Sequence, residues 1–189
     1  MTPPRRGISL TPMETRRDVI VRAAELADRL GYELFVVPEG WGLDSTLVLT
    51  EIALQTERIQ LMSGILSVWS RTPGAIAMNA ATLSEISDGR YILGLGASTK
   101  ALVEGFHGIE FAQPAKQLGA TTKAVRRILQ GERSEVPDDL DARALKLGQA
   151  PQPELQIYIA AMGPRAVTVA AEQADGWFPY YVARDRFAS

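Results

Sequence analysis

Apolar positions in this chain fall into short unbroken runs separated by longer stretches with helical spacing. Residues 34–37 (Leu-Phe-Val-Val) and 91–95 (Tyr-Ile-Leu-Gly-Leu) have no polar face, which is the pattern of strands covered on both sides. Residues 6–10 and 59–66 predict two more strands. The second of these is interrupted at Ser63-Gly64, and a glycine inside a strand marks a bulge or a close backbone approach. Residues 155–161 and 177–182 predict a fifth and a sixth strand.

The intervening stretches predict helices. Thr11-Pro12-Met13-Glu14 has the form of a helix start, with Thr as N-cap, Pro in the first turn and Glu closing a capping box. Val19, Ala23, Leu26, Ala27 and Leu30 then mark one face, and Gly31 suits a left-handed C-cap. Asp44 is expected to cap a helix reaching residue 57. Thr72-Pro73 repeats the cap-and-proline start, Ile76, Ala80 and Leu83 supply the stripe, and Asp88-Gly89 stops it. Leu118, Val125, Ile128 and Leu129 predict a helix over 114–130 that ends at Gly131, and residues 164–174 predict another. Residues 99–112 read as a loop or partial helix, and the polar, proline-containing stretch 132–156 as the least structured part.

Strand–helix alternation without hairpin signals predicts an α/β fold with a parallel sheet. Two architectures compete: an open doubly wound sheet and a closed TIM (β/α)8-type barrel. A complete barrel takes about 250 residues and eight units, against the six strands read here.

Composition narrows the function classes. The 189 residues are 46% hydrophobic and 22% charged, ordinary for a globular domain. A net charge of −2 points to no nucleic acid and no anionic membrane surface as partner. Thiol chemistry is excluded because there is no cysteine, and a multi-His metal site because there is one histidine. No apolar run approaches the roughly 18 residues that span a bilayer, and the first residues lack a secretory core, so the default expectation is a cytoplasmic protein.

Candidate chemistry sits at the predicted strand ends. Gly94-Leu-Gly-Ala-Ser98 is neither a dinucleotide-binding fingerprint, since Thr99 stands where the third glycine belongs, nor a P-loop. It reads either as a tight turn or as a rim where backbone approaches a ligand. Ala160-Ala-Met-Gly163-Pro164-Arg165 is the better anion site, because a helix N-terminus offers free N–H groups and Arg165 a charge-assisted contact. Glu39 and Trp41 follow the second strand, Trp69 the third, and His107 lies in the loop after the fourth. By sequence alone the simpler reading of each is an ordinary loop or packing residue. No Gly-x-Ser-x-Gly elbow supports a Ser-His-Asp triad.

Several stretches together resemble the bacterial luciferase-like monooxygenase superfamily: Leu61-Met-Ser-Gly-Ile-Leu66, Arg71-Thr-Pro73, Ala77-Met-Asn-Ala-Ala-Thr-Leu83, Ser87-Asp-Gly-Arg90 and Leu93-Gly-Leu-Gly-Ala-Ser98. Val103-Glu-Gly-Phe-His-Gly108, Ala160-Ala-Met-Gly-Pro164 and Ala174-Asp-Gly-Trp177 continue the likeness. Glu104-Gly-Phe-His-Gly108 and Pro38-Glu-Gly-Trp-Gly42 are similar to the branch that uses coenzyme F420 rather than FMN.

The resemblance implies a TIM barrel with the deazaflavin or flavin across the strands' carboxyl ends, and hydride transfer to or from its ring. It implies a bulge at Ser63, Gly64 and Ile65 with a cis Gly64–Ile65 bond, a ring site lined by Gly96, Ala97 and Ser98, and cofactor phosphate at Ala161, Met162, Gly163, Pro164 and Arg165. Glu39 and His107 are then the candidate proton-transfer groups, and Trp41, Trp69 and Trp177 the candidate substrate pocket. F420 implies a dehydrogenase or reductase acting on a small molecule, while FMN implies a monooxygenase. Two departures stand out. Gly119-Ala120 replaces an acid that relatives carry, and relatives have two further strand–helix units after residue 177. The expectation is therefore a single domain over 1–189, an incomplete barrel of about six units. It is expected to be a fragment, a shortened non-catalytic relative, or a barrel completed by a homodimer or by another chain.

Overall fold

The structure, a computed structural model, describes residues 6–180. Its strands are β1 (Gly7–Ser9), β2 (Leu34–Val37), β3 (Gln60–Ser63), β4 (Leu66–Ser67), β5 (Tyr91–Gly96), β6 (Ile157–Ala160) and β7 (Gly176–Trp177). Its helices are α1 (Arg17–Arg29), α2 (Ser45–Gln55), α3 (Pro73–Ile86), α4 (Lys100–Gly105), α5 (Pro114–Leu129) and α6 (Pro164–Gln173). Every strand pairing is parallel. The order β1-β2-β3-β5-β6-β7 follows the chain without reversal, and β4 pairs with β5 just past β3. A doubly wound sheet changes direction at a switch point, and this one does not. Of the two architectures left open, the chain adopts the TIM-barrel type, a curled part-barrel with helices on its outer face.

Alternate strand residues face the helices. Phe35, Leu61, Leu93, Leu95, Ile157 and Ile159 join Ile20, Leu49, Ile52, Ile76 and Leu118 in the main core. Burying each such side chain stabilises the fold by about 1.5–3 kcal/mol. The opposite face, the barrel interior, carries a small cluster of Val36, Met62 and Ile92 with Tyr158 and Phe178 against it. At the amino ends of the strands, Arg90 donates to the carbonyls of Ala53, Thr56, Ile59 and Ser87. Beside it the Asp28 carboxylate accepts from the N–H groups of Glu57, Arg58 and Ile59. These contacts tie α1, α2 and α3 to the base of the sheet.

The first helix departs from the sequence reading. It begins at Arg17, because Glu14 turns its carboxylate onto the Arg16 N–H (2.9 Å) and guanidinium instead of back to Thr11. Its buried face is Ile20, Val21, Ala24, Ala27 and Asp28, while Val19, Leu26 and Leu30 are exposed. Ile20 and Val21 enter the core together with the small Ala24 and Ala27. The expected caps hold elsewhere. Asp44 accepts from the Thr46 and Leu47 N–H groups, Thr72 accepts from Ala75 N–H, and Gly31, Gly89 and Gly131 take positive φ. The expected third strand is divided into β3 and β4. Residues 99–112 contain α4, and β7 (Gly176–Trp177) shares only Trp177 with the expected sixth strand, whose residues 181–182 lie outside the described part. No helix among the described residues is long and apolar enough to cross a membrane.

Candidate active site

The division between β3 and β4 is a bulge. Met62 pairs with Ile92 and Leu66 with Leu95, so four steps on one strand match three on the other. The residues between are Ser63, Gly64 and Ile65, and the Gly64–Ile65 peptide is cis. Gly64 N–H donates to Val37 O (2.9 Å). A Cβ on Gly94 would lie 1.9 Å from the Ser63 carbonyl oxygen, so only glycine lets β5 pass the bulge. Gly96 packs against the Ile65 side chain from the next position. Ser63 is fully buried, and its hydroxyl turns away from the barrel interior to Tyr91 and Gly94. Its side chain is thus committed within the protein, and Gly64 and Ile65 are the half-buried residues of the bulge.

A charged network joins the loops after β2 and β4. Glu39 receives the Arg71 guanidinium through both oxygens (2.5 and 3.0 Å) and also the Ser45 N–H and hydroxyl. Arg71 donates to Asp44 as well (2.7 Å), whose other oxygen caps α2. The side chains of Glu39 and Arg71 are 11% and 15% exposed. Pairing with Glu39 holds the Arg71 guanidinium above its ordinary pKa, against the effect of burial. Burial pushes the Asp44 carboxyl up, but the Thr46 hydroxyl and Arg71 outweigh it and leave it below the ordinary value. Glu39 therefore fastens two strand-end loops together.

Two tryptophans pin the rims. Trp69 Nε1–H donates to Ala97 O (3.0 Å), and the Trp69 ring lies 5.7 Å from that of Phe111. Trp177 Nε1–H donates to Ala161 O (2.8 Å). Trp41, between Gly40 and Gly42, is 57% exposed. Ser98 adopts positive φ, and Thr99 caps α4. His107 follows α4 half-buried, its ring edge-on to Phe106 at 5.1 Å.

The turn from β6 into α6 has the anatomy of an anion site. Gly163 is the N-cap and supplies no side-chain acceptor, whereas α2, α3 and α4 are capped by Asp44, Thr72 and Thr99. Pro164 has no N–H, so the orphan donors of the first turn are those of Arg165 and Ala166. A Cβ on Gly163 would meet nothing within 4 Å. Met162 and Arg165 are exposed beside it, and Ala161 is buried. An open turn with free amides, a helix dipole and a guanidinium fits a phosphate.

The structure thus gathers Gly64, Ile65, Gly96, Ala97, Ser98 and the residues 161–165 along the carboxyl ends of β3 to β6. Sequence reasoning gave no role to Arg71 or Tyr91. Arg71 stands in a motif read for its helix start, and its acid partners lie 32 and 27 positions away, beyond any local pattern. Two cavities lie away from this face. One of about 440 Å³ lies beside Asp28, Tyr32 and Arg58, and one of about 480 Å³ lies between α5 and α6 at Lys123, Arg126 and Gln173. Among the described residues no cluster of His, Cys, Asp or Glu is placed to hold a metal.

Known proteins resemble this chain in sequence and in fold. A protein of Mycobacterium tuberculosis assigned as a coenzyme F420-dependent oxidoreductase is 33% identical over 176 residues, covering 86% of this chain and 50% of its own length. A 5,10-methylenetetrahydromethanopterin reductase of Methanolobus tindarius is 31% identical over 163 residues, 83% of this chain and 48% of the reductase. The coenzyme F420-dependent tetrahydromethanopterin reductase of Methanopyrus kandleri superposes with a TM-score of 0.80 at 26% identity, over 93% of this chain and 55% of that one. The chain spans about half the length of the curated relatives it matches. The pattern of the luciferase-like monooxygenase family matches residues 1–189 from end to end. With its parallel part-barrel, the bulge and the open β6–α6 turn, the chain belongs to the luciferase-like monooxygenase family.

Proposed function

We propose that this chain serves an oxidoreductase that moves a hydride between coenzyme F420 and a small organic substrate. The observation that carries the reading is the likeness to F420-dependent proteins along most of the chain, at 33% identity and, in structure, a TM-score of 0.80. The open β6–α6 turn supports it independently.

In this reading the free N–H groups of Arg165 and Ala166, with the Arg165 guanidinium, hold the cofactor phosphate at Gly163-Pro164. The Ala161 and Met162 segment sets the height of that turn. Gly64 and Ile65 back the ring from β3, and Gly96, Ala97 and Ser98 line it from β5. When bound, a deazaflavin accepts or delivers the hydride and reacts poorly with oxygen. His107 is the proton-transfer group on this face. Glu39, committed to Arg71, keeps the loops after β2 and β4 in place, which revises its expected role from proton transfer to positioning. Trp41 offers an apolar surface to the substrate, while Trp69 and Trp177 fix the two turns that border it.

Titration of the purified protein with F420 and with FMN, followed by cofactor fluorescence, tests the proposal. Saturable F420 binding with weaker FMN binding is the expected result. Tighter FMN binding favours a monooxygenase, and binding of neither overturns the enzyme reading in favour of a barrel without turnover.

A further inference from the structure

At the bulge, a side chain does the work of a strand. Gly94 N–H donates to Ser63 Oγ (3.0 Å), Ser63 Oγ donates to Gly94 O (3.1 Å), and Ser63 Oγ lies 2.9 Å from Tyr91 Oη. Ser63 and Tyr91 are 0% and 2% exposed. Along β5, main-chain groups alternate between neighbours. Leu93 N–H donates to Gln156 O ahead of β6, while the carbonyls of Arg90 and Gly96 accept from Leu61 and Val68 on the other side. Gly94 belongs to that other side, where the extra bulge residue displaces its main-chain partner. The Ser63 hydroxyl takes the vacated place.

The proton count fixes the direction of every bond. A hydroxyl carries one proton. That of Ser63 goes to Gly94 O, so its lone pairs receive Gly94 N–H and Tyr91 O–H, and Tyr91 is the donor. Burial pushes the Tyr91 phenol far above its ordinary pKa, so that proton stays in place at neutral pH.

We infer that Ser63 and Tyr91 are positioning residues, whose relay to Gly94 locks the register in which Gly64 and Ile65 cross β5 and so fixes the backbone surface offered to the cofactor ring. The inference rests on the F420 reading for its functional consequence. Its local consequence, the protection of the Gly94 amide, stands on the hydrogen bonds alone.

The test uses the full chain with Ser63→Ala, Tyr91→Phe, the double variant and Ser63→Thr. Two quantities are read, the F420 dissociation constant and the hydrogen exchange of the Gly94 amide. Ser63→Ala leaves both Gly94 groups and the Tyr91 hydroxyl unpartnered in a buried site, and is expected to weaken F420 binding about tenfold and to speed Gly94 exchange. Tyr91→Phe removes only the outer donor and is expected to weaken binding about threefold. The double variant is expected to match Ser63→Ala, because the relay is already broken. Ser63→Thr keeps the hydroxyl and restores both readouts.

Unchanged Gly94 exchange in Ser63→Ala overturns the relay. A lowered Tm with an unchanged F420 constant, or effects that multiply in the double variant, overturns the positioning role. Wild-type protein that binds no F420 sinks the cofactor reading and the ring-positioning claim with it, while the exchange data still decide the relay.

Discussion

Arg71→Met is the perturbation that best probes how the strand-end loops are held. It keeps an apolar stem and deletes the charge. Arg71 now bridges Glu39 through two hydrogen bonds and Asp44 through one. In the variant, Glu39 keeps only the Ser45 N–H and hydroxyl, with a side chain 11% exposed. Removing one partner of a buried ion pair costs about 3–5 kcal/mol. Asp44 is 41% exposed, and solvent compensates it, so its share stays below about 1 kcal/mol. The expected loss is at the lower end, about 3 kcal/mol, or about 6–12 °C in Tm for a chain of this size. Urea unfolding gives the free energy directly. Adding Glu39→Gln removes the stranded charge, and the double variant is expected to lose only about 1–2 kcal/mol. A loss below about 1 kcal/mol in Arg71→Met, or a double variant as unstable as the sum of the single ones, refutes the coupled buried pair.

Two further variants test other parts of the fold. Gly94→Ala places a methyl 1.9 Å from the Ser63 carbonyl and is expected to cost about 3 kcal/mol or to abolish soluble expression. Wild-type stability contradicts the tight crossing. Asp28→Asn is expected to cost about 2 kcal/mol at neutral pH, by losing an oxygen that faces a main-chain N–H. Burial pushes the Asp28 carboxyl up, but three N–H donors outweigh it and leave it below its ordinary value of 3.8. The stability it adds is therefore complete above that value and fades as pH falls through the lowered one. Urea midpoints of the two proteins should converge on acidification below pH 3.8, and a constant gap contradicts the assignment.

The parts of the fold legible in the sequence are those fixed by neighbours in the chain. The short apolar runs at 34–37 and 91–95, the caps at Asp44 and Thr72 and the stop at Gly131 each depend on a few adjacent residues. Barrel against open sheet is not legible from pattern, because strand order depends on which edges meet, and the pairings in the fold show it. The buried face of α1 is only partly legible: Ala27 belongs to it, but Val19, Leu26 and Leu30 are exposed. Ile20, Val21 and Ala24 take the other inward positions, and Asp28 is buried at the end of that face because main-chain N–H groups receive it. The Ser63 and Gly163 segments stood out through their glycines, but their meaning lies in partners far along the chain. Ser63 faces Tyr91 28 positions later, and Arg71 reaches back 32 positions to Glu39.

The open β6–α6 turn is proposed to hold the phosphate of a bound deazaflavin. Gly163→Val tests it most directly, because the added side chain meets nothing of the protein within 4 Å at its Cβ. F420 is titrated into wild-type and Gly163→Val protein, with the urea midpoint of each measured alongside. Saturable binding to the wild type is expected, with an affinity at least about tenfold weaker in the variant and a stability loss of no more than about 1 kcal/mol, since valine is a poorer N-cap than glycine. Equal affinities for the two proteins contradict it.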